Sequence, residues 1–153
     1  MGEHHIHLDW SLDGAPFTYD AYPRNHRVTF KDGVTVTLSA ASAFRGDAAQ
    51  PDPEDLLVAS LSSCHMLSFL AIAAKKRVTV RAYRDHAVGF LENDGGRPGR
   101  FWVSRVILRP EVSFEGAPDA ETVSHIHHLA HDACFIANSV RTDVRVEPVP
   151  QAY

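Results

Sequence analysis

Cys64 and Cys134 are the two cysteines of this 153-residue sequence, and any redox or nucleophilic chemistry of the chain starts from them. A thiol reacts as its thiolate, whose population is set by nearby cations and helix termini. Cys64 lies in the middle of a long apolar stretch, Pro53 to Lys76, reading PEDLLVASLSSCHMLSFLAIAAKK. In a helix interior it gains little from the dipole, so an activated Cys64 requires a cation from elsewhere. Two arginines are suitably placed in sequence: Arg45, in the loop before the stretch, and Arg24, in Tyr22-Pro23-Arg24-Asn25-His26. Glu54 can orient such a guanidinium through a bidentate pair. Each residue also has an ordinary reading. Free cysteine is among the most buried residue types, lone arginines are mostly solvated, and Glu54 can simply place negative charge on a helix start.

A second constellation competes. His127 and His131 are four apart and Cys134 follows three later, so on one helix all three project from the same side, with His125 and His128 nearby. Two imidazoles and a thiolate suit zinc, although the spacing matches no zinc signature and lacks a fourth ligand. Solvated helix histidines are the alternative account.

The elements that must position these residues are legible from pattern. Asp52 is an N-cap, Pro53 suits the first helical position, and Glu54 and Asp55 complement the dipole; Lys75, Lys76 and Arg77 do so at the other end. The stretch is therefore one buried helix, apolar all round, which a sheet, a partner subunit or a membrane must cover. Serines 60, 62, 63 and 68 with Cys64 and His65 weaken the membrane reading. Upstream, His5 to Leu12 alternates as a half-buried strand, Ala15 to Pro23 is an aromatic segment of open structure, and His26–Phe30 with Val34–Leu38 forms a hairpin about Lys31-Asp32-Gly33. Residues 39–52 form a long loop, a type that often carries function. Downstream, Val78–Leu91 and Arg100–Phe114 read as two long strands joined at Asn93-Asp94-Gly95-Gly96. A second helix is expected from about Pro118 to Ala137, with Cys134 on its apolar face. A last strand follows over Val140–Glu147.

The order strands, helix, strands, helix, strand, without repeat or linker, predicts a single α+β domain over 1–153, a mostly antiparallel sheet packed on two helices. A hydrophobic content of 44% with 22% charged residues is ordinary globular chemistry. The formal charge of -4 argues against nucleic acid or an anionic membrane as partner. The N-terminus has no signal-peptide pattern, and Ile6 breaks the myristoylation pattern. A cytoplasmic location is expected, and there two cysteines serve burial, metal binding or redox chemistry rather than a permanent disulfide.

Pro53-Glu54-Asp55-Leu56-Leu57, followed by Ser62-Ser63-Cys64-His65, resembles the glutamate-containing segment and first cysteine motif of the OsmC/Ohr family of peroxide-reducing thiol proteins. His131-Asp132-Ala133-Cys134 is similar to the family's second cysteine motif. Asp52 stands where the family often has asparagine, and Cys134 is followed by Phe-Ile-Ala-Asn-Ser rather than by proline and a nearby serine. The resemblance implies an OsmC-like fold in an intertwined homodimer with active sites at the interface. It implies a peroxidatic Cys64, a resolving Cys134 that forms a disulfide with it, an activating arginine, for which Arg45 is favoured over Arg24, and Glu54 as that arginine's partner. The expected activity is thiol-dependent reduction of organic hydroperoxides. It needs no bound cofactor and uses an external thiol or dithiol as reductant. A zinc-binding protein, or a non-catalytic member that binds a small apolar ligand, is the alternative.

Overall fold

In the computed structural model, which describes residues 2–150, Asp52 and Asp55 cap the central helix reciprocally. The Asp52 carboxylate accepts the Asp55 N–H at 2.9 Å, and the Asp52 N–H donates to the Asp55 carboxylate at 3.2 Å. This is a capping box with aspartate in the third position. Helix α1 then runs unbroken over Pro53–Lys75. It ends on Arg77 with φ 61°, the left-handed conformation usually given to glycine. There the Val78 N–H reaches the Ala73 carbonyl and the Arg77 N–H the Ala74 carbonyl, the bond pair of a Schellman motif. Val78 packs against the cluster that contains Ala73, which supplies the motif's apolar contact.

Two compact units divide at Leu56/Leu57, inside α1. In the N-terminal unit, β1 (His7–Asp9), β2 (His26–Thr29) and β3 (Thr35–Leu38) form an antiparallel meander. The expected hairpin is present, with Val28 opposite Val36 and a turn at Lys31–Gly33 in which Asp32 and Gly33 take positive φ. The first strand is shorter than its alternation suggested. Its apolar residues Ile6, Leu8 and Trp10 are exposed rather than half-buried, because the small sheet buries only Val28 and Leu38 among its side chains. The aromatic segment is irregular: Trp10, Phe17 and Tyr22 contact one another, and the Trp10 indole N–H donates to the Pro23 carbonyl at 2.7 Å.

The C-terminal unit holds β4 (Val80–Asp85), β5 (Val88–Asn93), β6 (Phe101–Leu108), β7 (Pro110–Phe114), α2 (Ala120–Asp132) and β8 (Asp143–Val146). The two long strands expected here are each broken in two, and the breaks face each other. β4 pairs with β7, β5 pairs with β6, and Asp85 sits opposite Pro110 at the junction. One Asp85 oxygen accepts the Arg109 N–H at 2.7 Å, satisfying a backbone donor that the interrupted ladder would leave unpaired. The loop between β5 and β6 is longer than the glycine pair suggested, closing with the Asp94 N–H on the Arg100 carbonyl. β8 joins β6 in parallel, against four antiparallel pairings elsewhere.

Of α1, one stripe at four-residue spacing is buried: Leu61, His65, Phe69 and Ala73. Phe69 and Ala73 pack with Val112 of β7 and with Ile126 and Ala130 of α2, while Leu61 packs with Val106 and Leu108 of β6. A fully buried side chain of the size of Phe69 contributes up to about 3 kcal/mol relative to an exposed one. Close packing of α1 on β5 requires Gly89, where a Cβ would stand 2.5 Å from Val58. The opposite face is open: Ala59, Ser63, Leu67 and Ala71 are exposed, so the chain alone does not surround its central helix as its all-round apolarity suggested. By length and composition α1 could cross a membrane; one stripe of it is buried against the strands and α2.

Candidate active site

The open face of α1 forms one wall of a groove of about 650 Å³, lined by Ser60, Ser63, Cys64, Leu67 and Ser68 and closed on the far side by Ile136. The burial period of α1 explains why Cys64 looks into it. Position 64 lies one step off the buried stripe, so its thiol is half-buried rather than enclosed. Leu67 is 60% exposed and Phe135, across the groove, 81%. The walls are largely aliphatic and aromatic, with serine hydroxyls between.

Cys134 meets Cys64 from below. Helix α2, capped by Asp119 whose carboxylate accepts the Thr122 N–H at 2.7 Å, ends at Asp132. The chain then turns so that Cys134 lies beyond the helix rather than on its apolar face as expected. Asn138 assists this turn, its amide donating to the Asp132 carbonyl at 2.9 Å. Cys134 is only 1% exposed, its Sγ accepts the Ala137 N–H at 3.4 Å, and the Cys64 thiol lies near enough to act on it. Burial first, and the Cys64 thiol second, push the Cys134 thiol above its ordinary range; the N–H groups of Ala137 and Ile136 partly oppose this. Seventy positions apart in sequence, the two sulfurs share one site.

Arg24 and Arg45 belong to the N-terminal unit, where both are engaged. Arg24 donates to the Tyr22 and Tyr19 carbonyls and lies 3.7 Å over the Tyr22 ring. Arg45, at φ 64°, pairs with Asp20 at 2.7 Å. Glu54 is half-buried and has no ion-pair partner among the described residues. Within one chain, then, the expected pairing of Glu54 with an arginine is not made. The zinc arrangement is not assembled either: among the described residues no group of three or more His, Cys, Asp or Glu side chains could hold a metal ion. Its physical reason is the end of α2, which turns Cys134 away from the line of His127 and His131 and toward Cys64.

Four residues behind the thiols make contacts that the sequence reading did not assign. Ser62, on α1, donates to the second Asp85 oxygen at 2.5 Å, so a single carboxylate ties α1 to the strand break. His65 of α1 and His127 of α2 are both buried, with Nε2 of the first 3.1 Å from Nδ1 of the second and rings stacked at 5.5 Å. His65 was identifiable by its place in the stripe of Leu61, Phe69 and Ala73, and His127 by its place beside Ile126 and Ala130. A titratable side chain on the core face of each helix implied a partner across the junction.

An α+β protein with a half-buried thiol at an apolar groove and a second, buried thiol in contact with it is the class these observations define. The chain belongs to the OsmC-like protein family, whose sequence model matches residues 44–149. It is 42% identical to an OsmC-like protein of unknown function from Vibrio cholerae, over 97% of this chain and all of that one, with a TM-score of 0.90. The fold is also that of the organic hydroperoxide resistance protein OhrB of Bacillus subtilis, at 19% identity, covering 97% of this chain and 98% of that one, with a TM-score of 0.70. It is likewise shared with an organic hydroperoxide resistance protein OsmC from Legionella pneumophila, at 17% identity over 97% and 96% of the two chains, TM-score 0.67. No curated protein matches the chain.

Proposed function

We propose that this protein is a cytoplasmic thiol peroxidase that reduces organic hydroperoxides to alcohols, with Cys64 as peroxidatic and Cys134 as resolving cysteine. The single observation that carries the reading is the contact between a half-exposed and a fully buried thiol beside an apolar groove. The Cys64 thiolate attacks the distal peroxide oxygen; the O–O bond breaks, an S–O bond forms, and sulfur is oxidised by two electrons. The alkoxide takes a proton and leaves as alcohol. The Cys134 thiol then displaces water from the Cys64 sulfenic acid to give a disulfide. An external thiol or dithiol returns both sulfurs to the reduced state.

The electrostatics of Cys134 fit this order. Its raised pKa keeps it protonated, so it does not compete with Cys64 for peroxide. The charge-dependent part of the Cys64 effect vanishes once Cys64 carries an uncharged sulfenic acid, which brings Cys134 nearer to ionisation when it must attack. The groove beside Leu67, Ile136 and Phe135 favours a peroxide with an apolar substituent. Activation of Cys64 is assigned to Arg45 or Arg24, and Glu54 to orienting that guanidinium, across a homodimer interface.

Consumption of hydroperoxide in the presence of a dithiol tests the function. The protein is expected to turn over cumene hydroperoxide at least about tenfold faster than hydrogen peroxide, the discrimination that an aromatic substituent in an apolar pocket can provide. Absence of dithiol-dependent turnover with either peroxide would leave a ligand-binding protein without redox activity.

A further inference from the structure

The junction between α1 and α2 contains a buried imidazole bridge that the proposed chemistry does not use. His65 follows Cys64 on α1; His127 lies on α2, seven residues before Cys134, which follows the end of that helix. Their facing nitrogens are 3.1 Å apart, the planes are 1° from parallel, and the Phe69 ring packs against His127 at a 37° tilt with centroids 4.3 Å apart. With both rings neutral, one facing nitrogen carries the proton and the other accepts it. The outer nitrogens, His65 Nδ1 and His127 Nε2, are buried and without a protein partner. Adding a proton to each ring sets two N–H groups against each other, and the bridge breaks.

The surroundings offer little to stabilise positive charge. His131 of α2 acts on His65 as another potential cation, and Asp85 of β4, held by Ser62 and the Arg109 N–H, acts in the opposite sense. Tyr83 of β4 stays neutral, its pKa raised first by burial and then by Asp85. Burial, reinforced by His131 at His65 and by His65 at His127, holds both imidazoles down to about 4 against an ordinary 6.5.

We infer that His65 and His127 are positioning residues, an acid-sensitive bridge that holds α2 against α1 so that Cys134 stays buried in contact with Cys64. The catalytic meaning of that contact rests on the dithiol reading above, but the bridge can be tested without any peroxide. The sign follows from linkage: the opened junction binds more protons than the closed one between about pH 6.5 and 4, so the closed form loses stability as pH falls through that window. One imidazole released from 4 to 6.5 increases the opening constant roughly 20-fold between about pH 7 and pH 5.

The measurement is labelling of Cys134 in the reduced, full-length protein with dithiodipyridine, read on the Cys134 peptide by mass spectrometry. The rate is divided by that of an unstructured peptide of the same sequence at the same pH. The normalised rate is expected to rise roughly 20-fold from about pH 7 to pH 5 in the wild type. It is expected to stay level in the doubly substituted His65→Gln, His127→Asn protein, whose amides replace the two facing nitrogens without titrating. A level wild-type profile, or an equal rise in the double variant, overturns the inference. Should the variant fail to fold, imidazole NMR of the wild type decides: both rings titrating near 6.5 in the folded protein would also overturn it. Loss of peroxide turnover with the labelling profile intact would instead refute the dithiol reading alone.

Discussion

Cys64→Ser protein is expected to consume no organic hydroperoxide, whereas Cys134→Ser protein is expected to consume one equivalent without turnover, and a second only when peroxide is in excess. The difference follows from where the two sulfurs stand. Cys64 borders the groove and is half-buried, while Cys134 is enclosed and kept protonated by its surroundings. Removing Cys64 removes the nucleophile, and turnover falls to the rate of free dithiol. Removing Cys134 leaves the first oxidation intact but strands Cys64 as sulfenic acid, which excess peroxide carries on to sulfinic acid. Intact-mass spectra of both variants after peroxide treatment distinguish these outcomes. Full turnover by Cys64→Ser protein would remove Cys64 from the mechanism.

The second large effect concerns assembly. Ten residues of unbroken α1, at about 1.5 Å each, set Glu54 about 15 Å from Cys64 along the axis. A side chain that far along a straight helix does not reach the same thiol's site. A two-fold pair in which the central helices cross antiparallel brings Glu54 of one protomer toward Cys64 of its partner. The exposed face of α1 is suited to such a crossing: Ala59, Ser60 and Ser63 are small enough for close approach, and Leu67 and Ala71 extend the apolar surface left open. Co-refolding inactive Glu54→Ala with inactive Cys64→Ser protein is therefore expected to restore activity. One site of the heterodimer collects both defects and the other is wild type, giving about half the wild-type activity per heterodimer. Verified heterodimers without activity would confine Glu54 and Cys64 to one protomer's site, or exclude Glu54.

Much of this architecture was readable from local chemistry. Asp52, Pro53 and Asp55 marked the start of α1 because caps act within one turn, and the alternation around Lys31-Asp32-Gly33 marked a hairpin for the same reason. What was not readable depends on contacts distant in sequence. The break in the long strands at Asp85 and Arg109 is marked locally only by Pro110; it is completed where two strands bend together and one carboxylate satisfies the Arg109 N–H and a helix serine. The early end of α2 was hidden because Ala133 and Ala137 continue the helical period, although the chain leaves the helix at Asp132. That turn decides the site, since it takes Cys134 out of a histidine cluster and places it on Cys64. The two cysteines were recognisable as chemistry, but the histidine bridge behind them was harder to see, because His127 in sequence stands among exposed histidines and only its place beside Ile126 and Ala130 distinguishes it.

The central claim is that Cys64 and Cys134 form one redox pair. Treating fully reduced protein with one equivalent of an organic hydroperoxide, quenching with a thiol-blocking reagent and mapping the peptides by mass spectrometry tests it most directly. The account predicts one intramolecular disulfide linking the Cys64 and Cys134 peptides, with one equivalent of alcohol released. Both cysteines recovered as blocked thiols, with the peroxide unconsumed, would contradict it.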